Sequence, residues 1–186
     1  MDIAPFYSGS LLLAFPGIGD PNFERSVIAL CAHDQNGALG INIGDEIPGF
    51  SLRELLEQFD LPGDKVPDAP VLRGGPVERQ RGFVLHTLDW SGQDMVQVSD
   101  QWGLSGSLDV LKAIAEGRGP SRYAVALGYA GWGQGQLEDE MTRHGWFVAP
   151  ATDTLLFETP PRDRWTAAWS ASGIDTSLLA SQSGHA

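Results

Sequence analysis

The sequence predicts an α+β domain, in which short strands and helices are mixed along 186 residues without a regular parallel repeat. Three observations carry this expectation. Ser26 to His33, SVIALCAH, is apolar on both faces like a central strand, and Asp34-Gln35-Asn36-Gly37 then carries an Asn-Gly hairpin signal into ALGINI, Ala38 to Ile43. Ser51-Leu52-Arg53-Glu54 is a capping box that opens a helix to about Phe59. Ser107 can cap a second helix, Leu108 to Glu116, which Gly117 stops.

The other elements follow in order. Leu11 to Phe15 reads as a strand ended by Pro16-Gly17. Asp20-Pro21 has the form of an N-cap with proline at the first helical position, so a helical turn is expected over Pro21 to Arg25. Residues 60–70 are a Pro-rich loop, with short strands after it near Val71–Leu72 and Gly82–Thr87. MVQVSD alternates like a strand, and RYAVALGYA is another apolar one. A helix is expected from about Gln136 to His144, then strands in WFVAPA and TLLFET, then a last helix from Thr159-Pro160 to near Gly173. The count is about eight strands and four helices in one domain, residues 1–175, with 176–186 as a loose tail.

Composition narrows the function. With 24 acidic and 12 basic side chains, the formal charge is −12. Affinity for nucleic acid comes largely from Lys and Arg neutralising phosphates, and only Arg79 and Arg81 come near to clustering here. Direct nucleic-acid binding is therefore disfavoured, and an acidic surface also repels anionic membranes. Cys31 is the single cysteine, which excludes an intramolecular disulfide and multi-thiolate zinc sites and fits a reducing compartment. The N-terminus lacks the basic start of a signal peptide, and no stretch approaches the ~20 apolar residues of a membrane span. The cytoplasm is the expected location.

GYAGWGQGQLEDEM, Gly128 to Met141, follows an apolar strand and opens a helix, as many phosphate-binding loops do. Its glycines, however, match neither G-x-G-x-x-G nor G-x-x-x-x-G-K-[ST], and no lysine follows. Glu138, Asp139 and Glu140 occupy the first helical turn, where they would repel a phosphate. The structural reading is a tight strand-to-helix corner. The functional one is a neutral or cationic ligand, or a metal, at the loop of Gly131, Trp132, Gly135 and Glu138, with Trp132 as a platform for a ligand.

Cys31 and His33 are two apart on one strand and are expected on the same face, roughly 6.5 Å apart along it. His86 lies on another predicted strand and could pair with Cys31 across the sheet. Cys31 as nucleophile with His33 or His86 as base is the catalytic reading. A buried, inert thiol is the structural one. No ligand spacing supports a metal at His33, His86 and Asp34, and no cofactor is implied. His144 reads as compensation of a helix dipole, and Trp165 and Trp169 as one packing face. In GGPVE, Gly74 and Gly75 form either a turn before a strand or a backbone loop around a ligand.

Three linked segments resemble the YqgE/AlgH family: GSLLLAFPGIGDPNFERSVIALCAHDQNGALGINI, RGGPVERQRGFVLHT and LGYAGWGQGQLEDEM. The resemblance spans nearly the whole chain. It implies a compact α+β domain with a branched, partly barrel-like sheet flanked by helices, in a bacterial cytoplasmic protein. It also implies a link to transcriptional regulation without an established activity. Where many members carry Asn, a basic residue and Pro after the second strand, this chain has Gly44-Asp45-Glu46 before Ile47-Pro48, which removes any anion-binding role for that basic residue. Two readings result. One is a non-catalytic regulatory protein acting through a protein or small-molecule partner. The other is a thiol-dependent enzyme or redox sensor using Cys31, its pocket lined by the Gly74–Gly75 and Gly131–Gly135 loops.

Overall fold

In a computed structural model, residues 6–16, 24–143 and 145–177 are described. The turn expected over Pro21 to Arg25, the histidine at 144 and most of the C-terminal tail lie wholly or largely outside them. The strands are β1 Ser10–Ala14, β2 Val27–Asp34, β3 Gly37–Asn42, β4 Glu46–Ser51, β5 Pro70–Arg73, β6 Val77–Thr87, β7 Val96–Gln97, β8 Trp102–Ser105, β9 Tyr123–Trp132 and β10 Trp146–Pro150. The helices are α1 Leu52–Gln58, α2 Leu108–Ala115, α3 Gln136–Thr142 and α4 Arg164–Ala171. The Ser51 hydroxyl accepts from the Glu54 N–H at 3.4 Å, as the capping box requires, and Gly117 ends α2 with φ of 77°.

The strands run β10-β1-β2-β3-β9-β6-β8-β7 in one curled, predominantly antiparallel half-barrel. The sheet branches at β9. One edge of β9 pairs with β6; the other pairs with β3 through Ala130–Trp132 and, in parallel, with β5 through Ala126–Leu127. Gly74 stands in the fork. Its N–H donates to the Leu127 carbonyl and its own carbonyl accepts from the Asn42 N–H, each at 2.8 Å.

Alternation along the strands gives each face its own cover. Leu11, Leu13, Val27, Ala29 and Cys31 pack with Trp165 and Trp169 of α4. Leu12, Ile28 and Leu30, on the other face, pack with Trp132, Trp146 and Leu137 of α3. Val71, Val84 and Val125 meet the buried faces of α1 and α2.

TLLFET is not a strand. Thr154–Glu158 forms a π turn, closed by the Thr159 N–H on the Thr154 carbonyl at 2.8 Å. Leu155 and Leu156 are adjacent and both buried, which a strand of period two could not achieve on one face. The last helix also starts later than expected, because Pro161–Asp163 turn first as a 3-10 segment. β4 and β8 are additional strands. No described helix is long and apolar enough to cross a membrane.

Candidate functional site

Cys31 and His33 do not share the face on which they are expected. β2 carries a bulge, its register against β3 jumping from Leu30↔Gly40 to Ala32↔Leu39. The extra residue reverses the alternation. Cys31 therefore faces the α4 cluster, while His33 faces the α3 side with Leu30. Cys31 is 6% exposed, and its thiol lies 3.4 Å from the Ala29 carbonyl. Burial pushes its pKa far above the ordinary range, which is the opposite of an activated nucleophile.

His33 has both ring nitrogens engaged. Nδ1 accepts from the Tyr7 N–H at 3.1 Å, so the proton sits on Nε2, which meets the Glu138 carboxylate in a very short contact. The rings of Phe6 and Tyr7 pack on the imidazole, at 5.0 and 5.9 Å. Glu138 thus pins α3 to β2.

His86 is remote from Cys31. Strands β3 and β9 intervene between β2 and β6. His86 also pairs with Tyr123 at the start of β9, while the Cys31 bulge lies level with Ala130 and Gly131 near its end, so the two side chains are well beyond contact both across and along the sheet. Its Nδ1–H donates to the Thr87 carbonyl, and Nε2 accepts from the Ser105 hydroxyl, both at 2.8 Å. Burial lowers its pKa, against smaller opposing effects of Thr87 and Asp89, and favours the neutral ring. His86 and Ser105 are 0% and 1% exposed, so the pair ties β6 to β8.

The glycine corner is closed by its own side chains. Gly135, at φ of 72°, turns the chain into α3. The Gly133 N–H is taken by the Gln136 side-chain oxygen at 2.9 Å. Trp132 is buried, and its indole N–H donates to Glu140 Oε1 at 3.1 Å. The Trp146 indole N–H reaches the same oxygen at 2.9 Å, and the Gln136 amide reaches Glu140 Oε2 at 3.1 Å. Gly131 pairs with Leu39 in the β3–β9 ladder. Two of the corner's acidic residues therefore act as fasteners, Glu138 for His33 and Glu140 for the two indoles.

Gly74 and Gly75 serve the branch point. A Cβ on Gly74 would stand 2.2 Å from the Gly128 oxygen, and one on Gly75 would stand 2.1 Å from the Tyr129 carbonyl carbon. Side chains are excluded there because two backbones cross. Gly75 also borders an open cleft of ≈ 300 Å³ with Asn42, Asp45, Arg73, Pro76 and Arg79. Arg73 is spent on Asp45, at 3.2 Å. Among the described residues, no group of three His, Cys, Asp or Glu could hold a metal ion.

A feature without any sequence signal lies elsewhere. A cleft of ≈ 450 Å³ opens between β4, β5, β9 and the segment from Phe157 to Arg164. Arg164, at the start of α4, borders it and is only 4% exposed. An arginine opening an amphipathic helix looks like any solvated residue in the sequence, so its burial is visible only in the fold.

The AlgH-like family profile matches residues 11–177. A UPF0301 protein of Rhizorhabdus wittichii is 56% identical over 186 residues, covering 100% of both chains. One from Sphingopyxis alaskensis is 56% identical over 187 residues, again with 100% of each covered. Among solved structures, the AlgH protein from Pseudomonas aeruginosa shares 40% identity and a TM-score of 0.76, with 100% of each chain covered. A protein from Corynebacterium diphtheriae, 21% identical with a TM-score of 0.77 over 97% of this chain and 94% of that one, shares the fold.

Proposed function

The chain belongs to the AlgH-like family, and from that premise we propose that it is a non-catalytic regulatory protein, acting in the cytoplasm by binding a protein or small-molecule partner. The observation that carries this is the separation of the one thiol from His33 and His86. Cys31 is buried with a raised pKa. His33 is held by Tyr7 and Glu138, and His86 by Thr87 and Ser105. A thiol enzyme needs nucleophile and base within hydrogen-bond reach, and nothing in this geometry supports one.

A role in transcription would be indirect. A net charge of −12 opposes approach to the phosphate backbone. A gel-shift titration at physiological salt is expected to give no sequence-specific complex with the pure protein. The reading is tested by placing Cys31→Ser and Cys31→Ala in the chromosomal copy and comparing each strain with wild type and a deletion. Wild-type behaviour supports a binding protein. Deletion-like behaviour from folded protein at normal abundance contradicts it.

A further inference from the structure

We propose that the cleft bordered by Arg164 is a binding site for a small monocarboxylate with an apolar body, and that Arg164 is its anion anchor. Among the described residues, Arg164 carries a charge without a counter-charge. The Arg164 guanidinium has five N–H donors. One of them, on Nη1, meets the Ile43 carbonyl at 2.8 Å, and Nε is buried without a partner. Among the described residues no carboxylate stands within ion-pair distance of it.

Burying an unpaired charge is expensive, and folds normally supply a partner. Burial alone moves this guanidinium, lowering its pKa to about 10. It remains charged at neutral pH and borders a cleft large enough for a small molecule, about 300 Å³ or more. The missing anion can come from outside.

The walls define the rest of the ligand. Leu52, Leu72, Val125, Phe157, Pro160 and Pro161 line the cleft. They offer an apolar surface to the body of the molecule. The guanidinium fork matches a carboxylate in two parallel hydrogen bonds. Three other charges border the space: Arg162, Glu46 and Glu158. Glu158 is drawn toward Arg122, at 2.9 Å, and Glu46 is exposed. The two carboxylates balance Arg162 and Arg164 on the lining, so the cleft carries no excess positive charge to hold a polyanion such as phosphate. The π turn is a second observation. Such turns are uncommon and concentrate at functional sites, and this one supplies Phe157 and Glu158 to the wall.

This site gives a ligand class to the binding reading above and rests on it for biological purpose only. Binding in solution stands or fails without a phenotype, and the Cys31 strains test that reading without touching Arg164. The experiment is an amide-resolved NMR titration of the full chain with benzoate and hexanoate, against benzamide, hexanamide and inorganic phosphate. Saturable shifts are expected at Tyr123–Val125 and at Phe157–Glu158 with the carboxylates. Amides and phosphate should bind about tenfold more weakly or worse, the loss of one charge-assisted pair.

Arg164→Met should remove the preference for carboxylate while melting at or above the wild-type temperature, because an uncompensated buried charge is gone. Glu46→Gln should tighten benzoate binding. The proposal is overturned if carboxylates bind no better than their amides, or if Arg164→Met binds them equally. It is also overturned if Arg164→Met fails to fold, since Arg164 would then be a structural tie to Ile43.

Discussion

Cys31 and His33 stand on opposite faces of the same strand, turned apart by one bulged residue. The bulge places the thiol among Ala29, Ile41 and the α4 tryptophans, and the imidazole against α3. Cys31→Ala should therefore act only on stability, at about 1 kcal/mol for a small core vacancy. Urea unfolding of the purified variant measures it. A change in ligand or partner affinity at unchanged stability would be unexpected.

Glu138 fixes His33, whose side chain is 0% exposed. Glu138→Ala leaves a buried N–H without an acceptor and should cost about 1–3 kcal/mol. Glu138→Gln keeps an acceptor oxygen and should cost less than about 1 kcal/mol. The order of the two urea midpoints checks that Glu138 holds the imidazole.

His86 makes stability depend on pH. Burial depresses its folded-state pKa below the ordinary 6.5. Below 6.5 the unfolded chain takes up the proton more readily than the folded one, so this residue's contribution is complete above 6.5 and is lost as pH falls toward the folded value. Thermal melts from neutral to acidic pH should show a smaller acid loss in His86→Gln than in wild type.

The glycines divide into two kinds. Gly75→Ala would drive a methyl into the Tyr129 backbone and should cost about 3 kcal/mol or more. Gly135→Ala meets open space at φ of 72° and should cost only about 1–2 kcal/mol for the left-handed conformation. Comparable losses at both would contradict the branch-point account.

The hairpin, α1, α2 and the α3 corner were legible in the sequence because local chemistry specifies them: turn residues at 34–37, Ser51 before Glu54, Gly117 after α2. TLLFET was not, since a short apolar run has no period that separates a strand from a turn of helix. The 76-to-78 segment was not either; β6 begins at Val77, where Glu78 accepts a positive φ of 45°. The bulge at Cys31 leaves no local mark, so spacing alone puts Cys31 and His33 on one face. The family resemblance supplied the branched sheet, and Gly74–Gly75 now has a physical reason within it. Arg164 was invisible, because the energetic meaning of a charge depends on what surrounds it.

The most direct measurement is the alkylation rate of Cys31 against pH in the native protein, with the unfolded chain as reference. A single cysteine makes the readout unambiguous. The binding account predicts no native reaction across neutral pH and full reaction after unfolding. Native alkylation with a midpoint well below about 8.5 would reveal an activated thiolate and contradict it.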